Sequence, residues 1–528
     1  MHARTSQSLL LCSSLALLLV GCTAEPEYAP EAVTFDIPGQ DAVRLADGSI
    51  DRAVDELPGL VEKVMEASGI PGAAVAVVRG EELLYSGGFG VRRLGEEAPV
   101  DAETVFQIAS LSKSVGATVV ATQVTKGVVE WTTPVAPLLD GFALADPWVT
   151  EHVTVGDLYA HRSGLPHAAG DDLEDIGYDR DYIIDHLRYE PLQPFRTSYN
   201  YANFGMTTGA EAVARAAGTD WATLSDEALY EPLGMDSTSS RYDDFLERDN
   251  RATLHAKVDG RFRPLYERMP DAQAPAGGVS SNVLDLAKWL SLVLGEGTAF
   301  GTELAAPEDL LAATSAQIVS GHPSLPGQRP GQYGYGFNTG VTPTGRVSLS
   351  HSGAFTLGAA TNFQAVPQLD LGIVVLTNAG PVGAAEAIAS EFLDEVQFGK
   401  QTRDWLADYG VALGGYYDPA GDLVDEEPPA SAQPARSLAD YAGTYRNEYF
   451  GDAEVVASGD SLTVRLGPGG DYELPLEPWD GDTFAFVPTG ENAPDGSRSS
   501  ATFTLDGAGG GTLTLQFFDA NRLGTWTR

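Results

Sequence analysis

Cysteine is almost missing from this chain, with two residues in 528, Cys12 and Cys22. Once an N-terminal signal is removed no pair is left to bridge, so the fold must rest on its core without an internal disulfide. A cysteine nucleophile and a cysteine-based zinc site are excluded on the same ground. Basic charge is scarce too. Lys and Arg total 32 against 74 Asp and Glu, for a net charge of −42 and a pI near 4.3. A surface this acidic repels a phosphate backbone and excludes nucleic acid as a partner. Beyond the N-terminal segment no apolar run reaches the ~18 residues of a membrane-spanning helix. The chain has no H-E-x-x-H, and no metal or other cofactor is implied. It also has no G-x-S-x-G, which closes the usual α/β-hydrolase route to serine catalysis.

What remains is an ordinary globular composition, 43% hydrophobic and 9% aromatic, which argues for a packed core and against disorder. The length allows two to four domains at ~150 residues each. Residues 1–21 combine a short charged start with the apolar run Leu15–Val20, and they finish Leu19-Val20-Gly21 before Cys22. That pattern predicts a lipoprotein signal peptide, with Cys22 acylated at a lipobox-like site. The expected localisation is an exported lipoprotein, periplasmic or anchored at the outer membrane or cell surface, touching membrane through the lipid alone. Residues 22–50, Pro- and acid-rich, read as a tether.

Residues 51–403 have a mixed texture. Ala73–Val78, the turn Arg79-Gly80-Glu81-Glu82 and Leu83–Tyr85 predict a hairpin with one buried strand. Helical patterns follow over 108–123, 212–217 and 283–294, and strand-like runs over 347–378. This order predicts an α/β (α+β) domain whose sheet draws on both ends of the segment. Residues 404–436, with a Pro/Asp/Glu/Ala run, read as a linker. Residues 437–528 carry short strands spaced by Gly and Asp turns and predict a small all-β barrel or sandwich.

Three strings could carry chemistry. Ser110 and Lys113, three apart at a helix start, share one face, and a lysine among small apolar residues can lose its charge and serve as a base. Capping serines beside a helical lysine would give the same string. Tyr201 and Asn203, in FRTSYNYANFG, offer a hydroxyl that relays protons and an amide that orients a lysine or a substrate; a packed aromatic cluster is the alternative, and Tyr199 is expected to be one. His351 lies beside Gly353 on a predicted strand, where a glycine marks close approach of another backbone or a ligand. The acidic stretch 171–185 is expected to be a solvated loop face in preference to a charge-selecting overhang. His161 and His167 have no acids at ligand spacing.

In this order S-x-x-K, Y-x-N and H-x-G resemble the serine β-lactamase and penicillin-binding superfamily, in its class C β-lactamase and DD-peptidase-like branch. The surrounding text (VFQIASLSKS, DLYAHRSGLP, PAGGVSSNVLDLAKW and HSGAFTLGAATNFQAV) is similar as well, over roughly residues 55–400. The resemblance implies a β-lactamase/transpeptidase-like domain, an antiparallel sheet flanked by helices, with an appended β-module. It implies Ser110 as nucleophile with Lys113 and Tyr201 moving its proton. Asn203, His351, Gly353 and Ala354 would contact substrate, with the Ser110 and Ala354 N–H groups as the oxyanion hole. The expected partner is a small-molecule or peptide substrate: a D-amino-acid peptide, a β-lactam or an ester. A slowly deacylating penicillin-binding or sensor lipoprotein, and a carboxylesterase, are the alternatives. A non-enzymatic binding lipoprotein would have no need of Ser110, Lys113, Tyr201 and Asn203 together. His351 departs from the lysine of many β-lactamases and argues against efficient antibiotic hydrolysis, since a neutral imidazole holds a carboxylate less firmly than an ammonium does.

Overall fold

The strand Gly72–Arg79 is buried at seven of its eight positions, so its side chains need apolar cover on both faces. A computed structural model, which describes residues 44–506 and 509–528, shows how that cover is supplied. The predicted signal peptide, the Cys22 acylation site and most of the tether lie outside the described residues.

Eight antiparallel strands form the central sheet. Their spatial order is Glu82–Gly90, Gly72–Arg79, Leu371–Thr377, Ala359–Val366, Val347–Phe355, Asn338–Val341, Gly331–Tyr333 and Ile318–Gly321. The N-terminal hairpin thus pairs with the last strand, Val75 opposite Val375, and the sheet is built from both ends of the segment as its sequence predicts. Alternation sorts the side chains. Val75, Val77, Ile373 and Val375 join one core with the helices Ser49–Ser68 and Ala384–Phe398. Ala74, Ala76, Val78, Val374 and Leu376 face the other way, toward the helix Val283–Leu294. In Ser49–Ser68 the buried Ile50, Ala53, Leu57, Val61 and Val64 recur every three or four residues, one stripe facing that core.

A helical layer packs beside the sheet around Ser112–Thr125, buried on every side from Ser112 to Gln123. The helix Asn203–Ala217 begins at the asparagine of the second motif, nine residues earlier than its apolar pattern predicts.

The C-terminal eight strands run up and down in sequence order from Gly443–Tyr445 to Thr525–Thr527. Arg446 and Thr527 exchange two backbone hydrogen bonds of 2.7 and 2.9 Å, which bring the first and last strands together into a nearly closed barrel. The expectation of a linker over 404–436 needs correction at its start. Trp405–Leu413 is a helix, and its aromatic residues bind the fold: Trp405 Nε1 donates to Asp394 at 2.7 Å, and Tyr409 lies 3.1 Å from the Ser390 hydroxyl. The barrel does not stand off either. The described residues form one compact unit, with Tyr449 donating to Glu190 at 2.6 Å and Tyr178 to the Phe450 carbonyl at 3.0 Å.

Candidate active site

Ser110 sits in a tight turn, Ala109–Leu111, that feeds the buried helix Ser112–Thr125. Ala109 takes φ 48°, a left-handed conformation that an alanine adopts only where the surroundings hold it there. The strand Val347–Phe355 presses on this turn at Gly353. A Cβ on Gly353 would lie 2.2 Å from the Ile108 carbonyl oxygen and 2.4 Å from Thr361 Oγ1. The glycine therefore marks close approach of another backbone, as its place beside His351 suggests.

One turn after Ser110, Lys113 is wholly buried. Its Nζ lies 2.9 Å from Ser110 Oγ, 2.7 Å from Asn203 Oδ1 and 2.8 Å from the Ala276 carbonyl oxygen. Two of these partners can only accept. The asparagine amide is oriented by its own donation to Asp171 at 3.0 Å, which leaves Oδ1 for the lysine. A neutral amine fits this triangle: two N–H groups satisfy Asn203 and Ala276, and the lone pair is left facing the serine hydroxyl. Burial pushes the Lys113 pKa down from 10.5 to about 7, against the pull of Asp171. Tyr201 completes the group. Its ring lies 4.6 Å from Lys113 Nζ, and its hydroxyl interacts with Ser110. Burial holds that phenol well above its usual pKa, so the neutral hydroxyl is the form present.

His351 lines the same cleft with both ring nitrogens engaged. Nδ1 lies 2.6 Å from the Ser352 carbonyl oxygen, which can only accept, so Nδ1 carries the proton and Nε2 accepts from Tyr333 at 2.9 Å. Burial, with Lys113 nearby, pushes its pKa down to about 3, and the ring is neutral. Ala354, next to Gly353, also lines the cleft.

The cleft holds about 330 Å³ between the helical layer, the sheet and the C-terminal module. Several groups along its wall or packed behind it belong to none of the three motifs. His161 packs 4.4 Å from the Tyr201 ring and accepts the Ala202 N–H at 3.2 Å. Its string, DLYAHRSGLP, is the one signal available for it. Tyr199 packs against Tyr333 as expected and also lines the cleft. The expectation that 171–185 is a solvated face is corrected at its start: Asp171 and Glu174 are buried in a short helix, Asp171–Asp175, whereas Asp179, Asp181 and Asp185 are exposed as expected. Asp171 holds Asn203, and Glu174 pairs with Arg268 at 2.5 Å while accepting from Gln273. From the barrel, Glu491 and Asn492 reach the cleft wall, and nothing in their turn-rich string signals it.

A serine bonded to a desolvated lysine, beside a tyrosine hydroxyl and under a sheet strand, is the apparatus of a serine hydrolase of the β-lactamase and penicillin-binding type. Comparison with known proteins agrees. The chain belongs to the Beta-lactamase family, whose model matches residues 57–397, and a Domain of unknown function (DUF3471) matches 427–524. It is 28% identical to an unguisins hydrolase of Aspergillus campestris, over 60% of this chain and 60% of that protein's length. It is 27% identical to an unguisins hydrolase of Aspergillus violaceofuscus, over 79% and 78% of the two chains, and 28% identical to penicillin-binding protein 4 of Amycolatopsis lactamdurans, over 72% and 94%. Among solved structures, the octameric penicillin-binding protein homologue from Pyrococcus abyssi shares the fold at TM-score 0.58 and 20% identity, over 90% of this chain and all of that one. A class C β-lactamase from Rhodobacter sphaeroides does so at 0.53 and 22%, over 64% of this chain and 98% of the other.

Proposed function

We propose that this protein cleaves amides or esters through an acyl-enzyme on Ser110, acting on D-amino-acid peptides, β-lactams or esters. The observation that carries the reading is the triangle around Lys113, which leaves a neutral amine's lone pair on the serine hydroxyl. Ser110 Oγ attacks the carbonyl carbon as its proton passes to Lys113 Nζ. Backbone N–H groups of Ser110 and Ala354 receive the negative charge that develops on the carbonyl oxygen. The bond to the leaving amine or alcohol breaks as that proton reaches it through Lys113 and the Tyr201 hydroxyl. Water then attacks the ester on Ser110, gives up a proton to Lys113, and releases the carboxylic acid as the serine is reprotonated. Asn203 holds Lys113 in place, and His351 positions Tyr333 while presenting no charge. Relatives named unguisins hydrolase and penicillin-binding protein support this class of chemistry. Cys22 would anchor the exported enzyme to a membrane by its lipid.

The test is turnover of a p-nitrophenyl ester and labelling by a fluorescent penicillin, on a chain starting after Cys22, beside Ser110→Ala. Removing the nucleophile should abolish both, and turnover that survives in Ser110→Ala assigns the nucleophile elsewhere.

A further inference from the structure

Tyr201 lies in a short non-helical segment, and much of what fixes it comes from one residue outside the three motifs. Asn200 and Ala202 flank Tyr201, and His161 receives a hydrogen bond from each. The His161 carbonyl oxygen accepts the Asn200 N–H at 2.9 Å, and ring nitrogen Nδ1 accepts the Ala202 N–H at 3.2 Å. The Tyr201 carbonyl in turn accepts the Ala168 N–H at 2.9 Å. Asn203 is fixed separately, by the helix it opens and by its donation to Asp171. Tyr201 stands ahead of that helix, so the hold by His161 decides where its hydroxyl meets Ser110.

Packing alone does not explain a histidine here. The residue is 2% exposed, and its ring lies 4.4 Å from that of Tyr201, 5.2 Å from Tyr333 and 5.7 Å from Tyr199. Because Nδ1 accepts, the proton of the neutral ring is on Nε2, and that buried nitrogen has no hydrogen-bond partner among the described residues. A buried donor without a partner costs stability, so an apolar ring would fill this space better. The backbone adds a second cost, since His161 takes the left-handed φ of 54°. What a histidine supplies and a phenylalanine does not is the acceptor at Nδ1. Burial, with Lys113, His351 and His167 nearby, holds its pKa well below the usual value, so the ring stays neutral and the acceptor stays available.

Resting on the acyl-enzyme mechanism at Ser110, we propose that His161 is a positioning residue that aims the Tyr201 hydroxyl at the leaving group. In acylation of an ester the bond from the carbonyl carbon to the leaving oxygen breaks with its electron pair on that oxygen. The proton taken from Ser110 arrives there through Lys113 and Tyr201. A leaving group that departs as a stable anion hardly needs this proton, whereas a strongly basic alkoxide must receive it. Displacing Tyr201 therefore penalises poor leaving groups selectively, which a general loosening of the fold would not do.

The test compares p-nitrophenyl butyrate with ethyl butyrate on the intact chain. Both place the same butyryl group on Ser110, so their kcat/KM values differ through acylation alone. Tyr201→Phe should lower the ethyl-to-nitrophenyl ratio of kcat/KM by about tenfold or more, and His161→Phe, which keeps an aromatic ring without the acceptor, should lower it likewise. The double variant should match Tyr201→Phe within about twofold, because both residues act through one hydroxyl. Asparagine tolerates a left-handed backbone and its Oδ1 can take the place of Nδ1, so His161→Asn should return the ratio to within about threefold of wild type. That rescue is read on its own if His161→Phe folds poorly. A ratio unchanged in Tyr201→Phe, an equal loss on both esters in His161→Phe, additive losses in the double variant, or a His161→Asn ratio as low as that of Tyr201→Phe overturns the positioning role. If any of these comes with ester hydrolysis that is lost in Ser110→Ala, the nucleophile stands and the role of His161 alone fails. Absence of Ser110-dependent turnover of both esters overturns the acyl-enzyme reading and the positioning role with it.

Discussion

In the proposed mechanism Lys113 sets the pH at which Ser110 can lose its proton. Its Nζ is enclosed by Ser110, Asn203 and the Ala276 carbonyl, and burial lowers its pKa from 10.5 to about 7. A displacement of this size disfavours the ammonium by about 5 kcal/mol relative to water. With a pKa near 7 the neutral amine is about 1% of the population at pH 5 and about half at pH 7. The value of kcat/KM for a p-nitrophenyl ester should therefore rise about tenfold per pH unit up to the Lys113 pKa and level off above it. An unperturbed lysine would go on gaining activity to about pH 10. Tyr201 cannot produce the limb, because burial holds its phenol well above the usual value and the phenolate is unpopulated at neutral pH. The assay is initial rates between about pH 4.5 and 9.5, with folding checked at each pH, for the wild type and Lys113→Ala. The variant should lose about 10²-fold or more in kcat/KM and the limb with it. A flat wild-type profile, a limb centred near pH 10, or activity retained in Lys113→Ala would refute a neutral lysine as the base.

Three further outcomes follow from the geometry. Gly353→Ala puts a Cβ 2.2 Å from the Ile108 carbonyl oxygen. It should destabilise the protein by about 1–3 kcal/mol in denaturant unfolding and displace the turn that carries Ser110, with activity falling further than stability. Asp171→Ala removes the acceptor that orients the Asn203 amide; kcat/KM should drop about tenfold, while Asp171→Asn, which keeps an acceptor, should retain most of it. Glu491 has its pKa raised from 4.5 to about 7, chiefly by burial. Its contribution to stability is full below its unfolded pKa and is lost as pH rises through the folded one. Glu491→Gln should therefore gain in Tm relative to wild type as pH is raised between those two values, and a difference that stays constant across that window would contradict the assignment.

The sequence shows the parts of this protein whose signals are local. A continuous apolar run and turn residues place the hairpin of Gly72–Arg79 and Glu82–Gly90, and the apolar run Val283–Leu294 is a helix as its pattern predicts. Ser110, Lys113, Tyr201 and Asn203 converge as their motif order suggests, because a three-residue spacing at a helix start and an asparagine at a helix entry are themselves local facts. The groups that escape are set by distant pairing. Asp171 reads as a solvated acid in its own string, and only the fold lays it against Asn203. Glu491 lies 135 residues from Thr356, in a turn that looks like any other barrel connection. Trp405 and Tyr409 belong to a stretch with linker composition, yet their rings find Asp394 and Ser390 on the preceding helix. His351 is visible as a residue, but its neutrality depends on Tyr333 and on burial, neither of which a string displays.

The most direct measurement of the central claim is peptide mapping by mass spectrometry of protein quenched in acid during steady-state turnover of a p-nitrophenyl ester. A Ser110 nucleophile predicts an acyl mass on the peptide spanning Ser110 and a pre-steady-state burst of about one equivalent of p-nitrophenol. Both should be absent in Ser110→Ala. Turnover with the acyl group on another residue, or a burst that survives in Ser110→Ala, would contradict it.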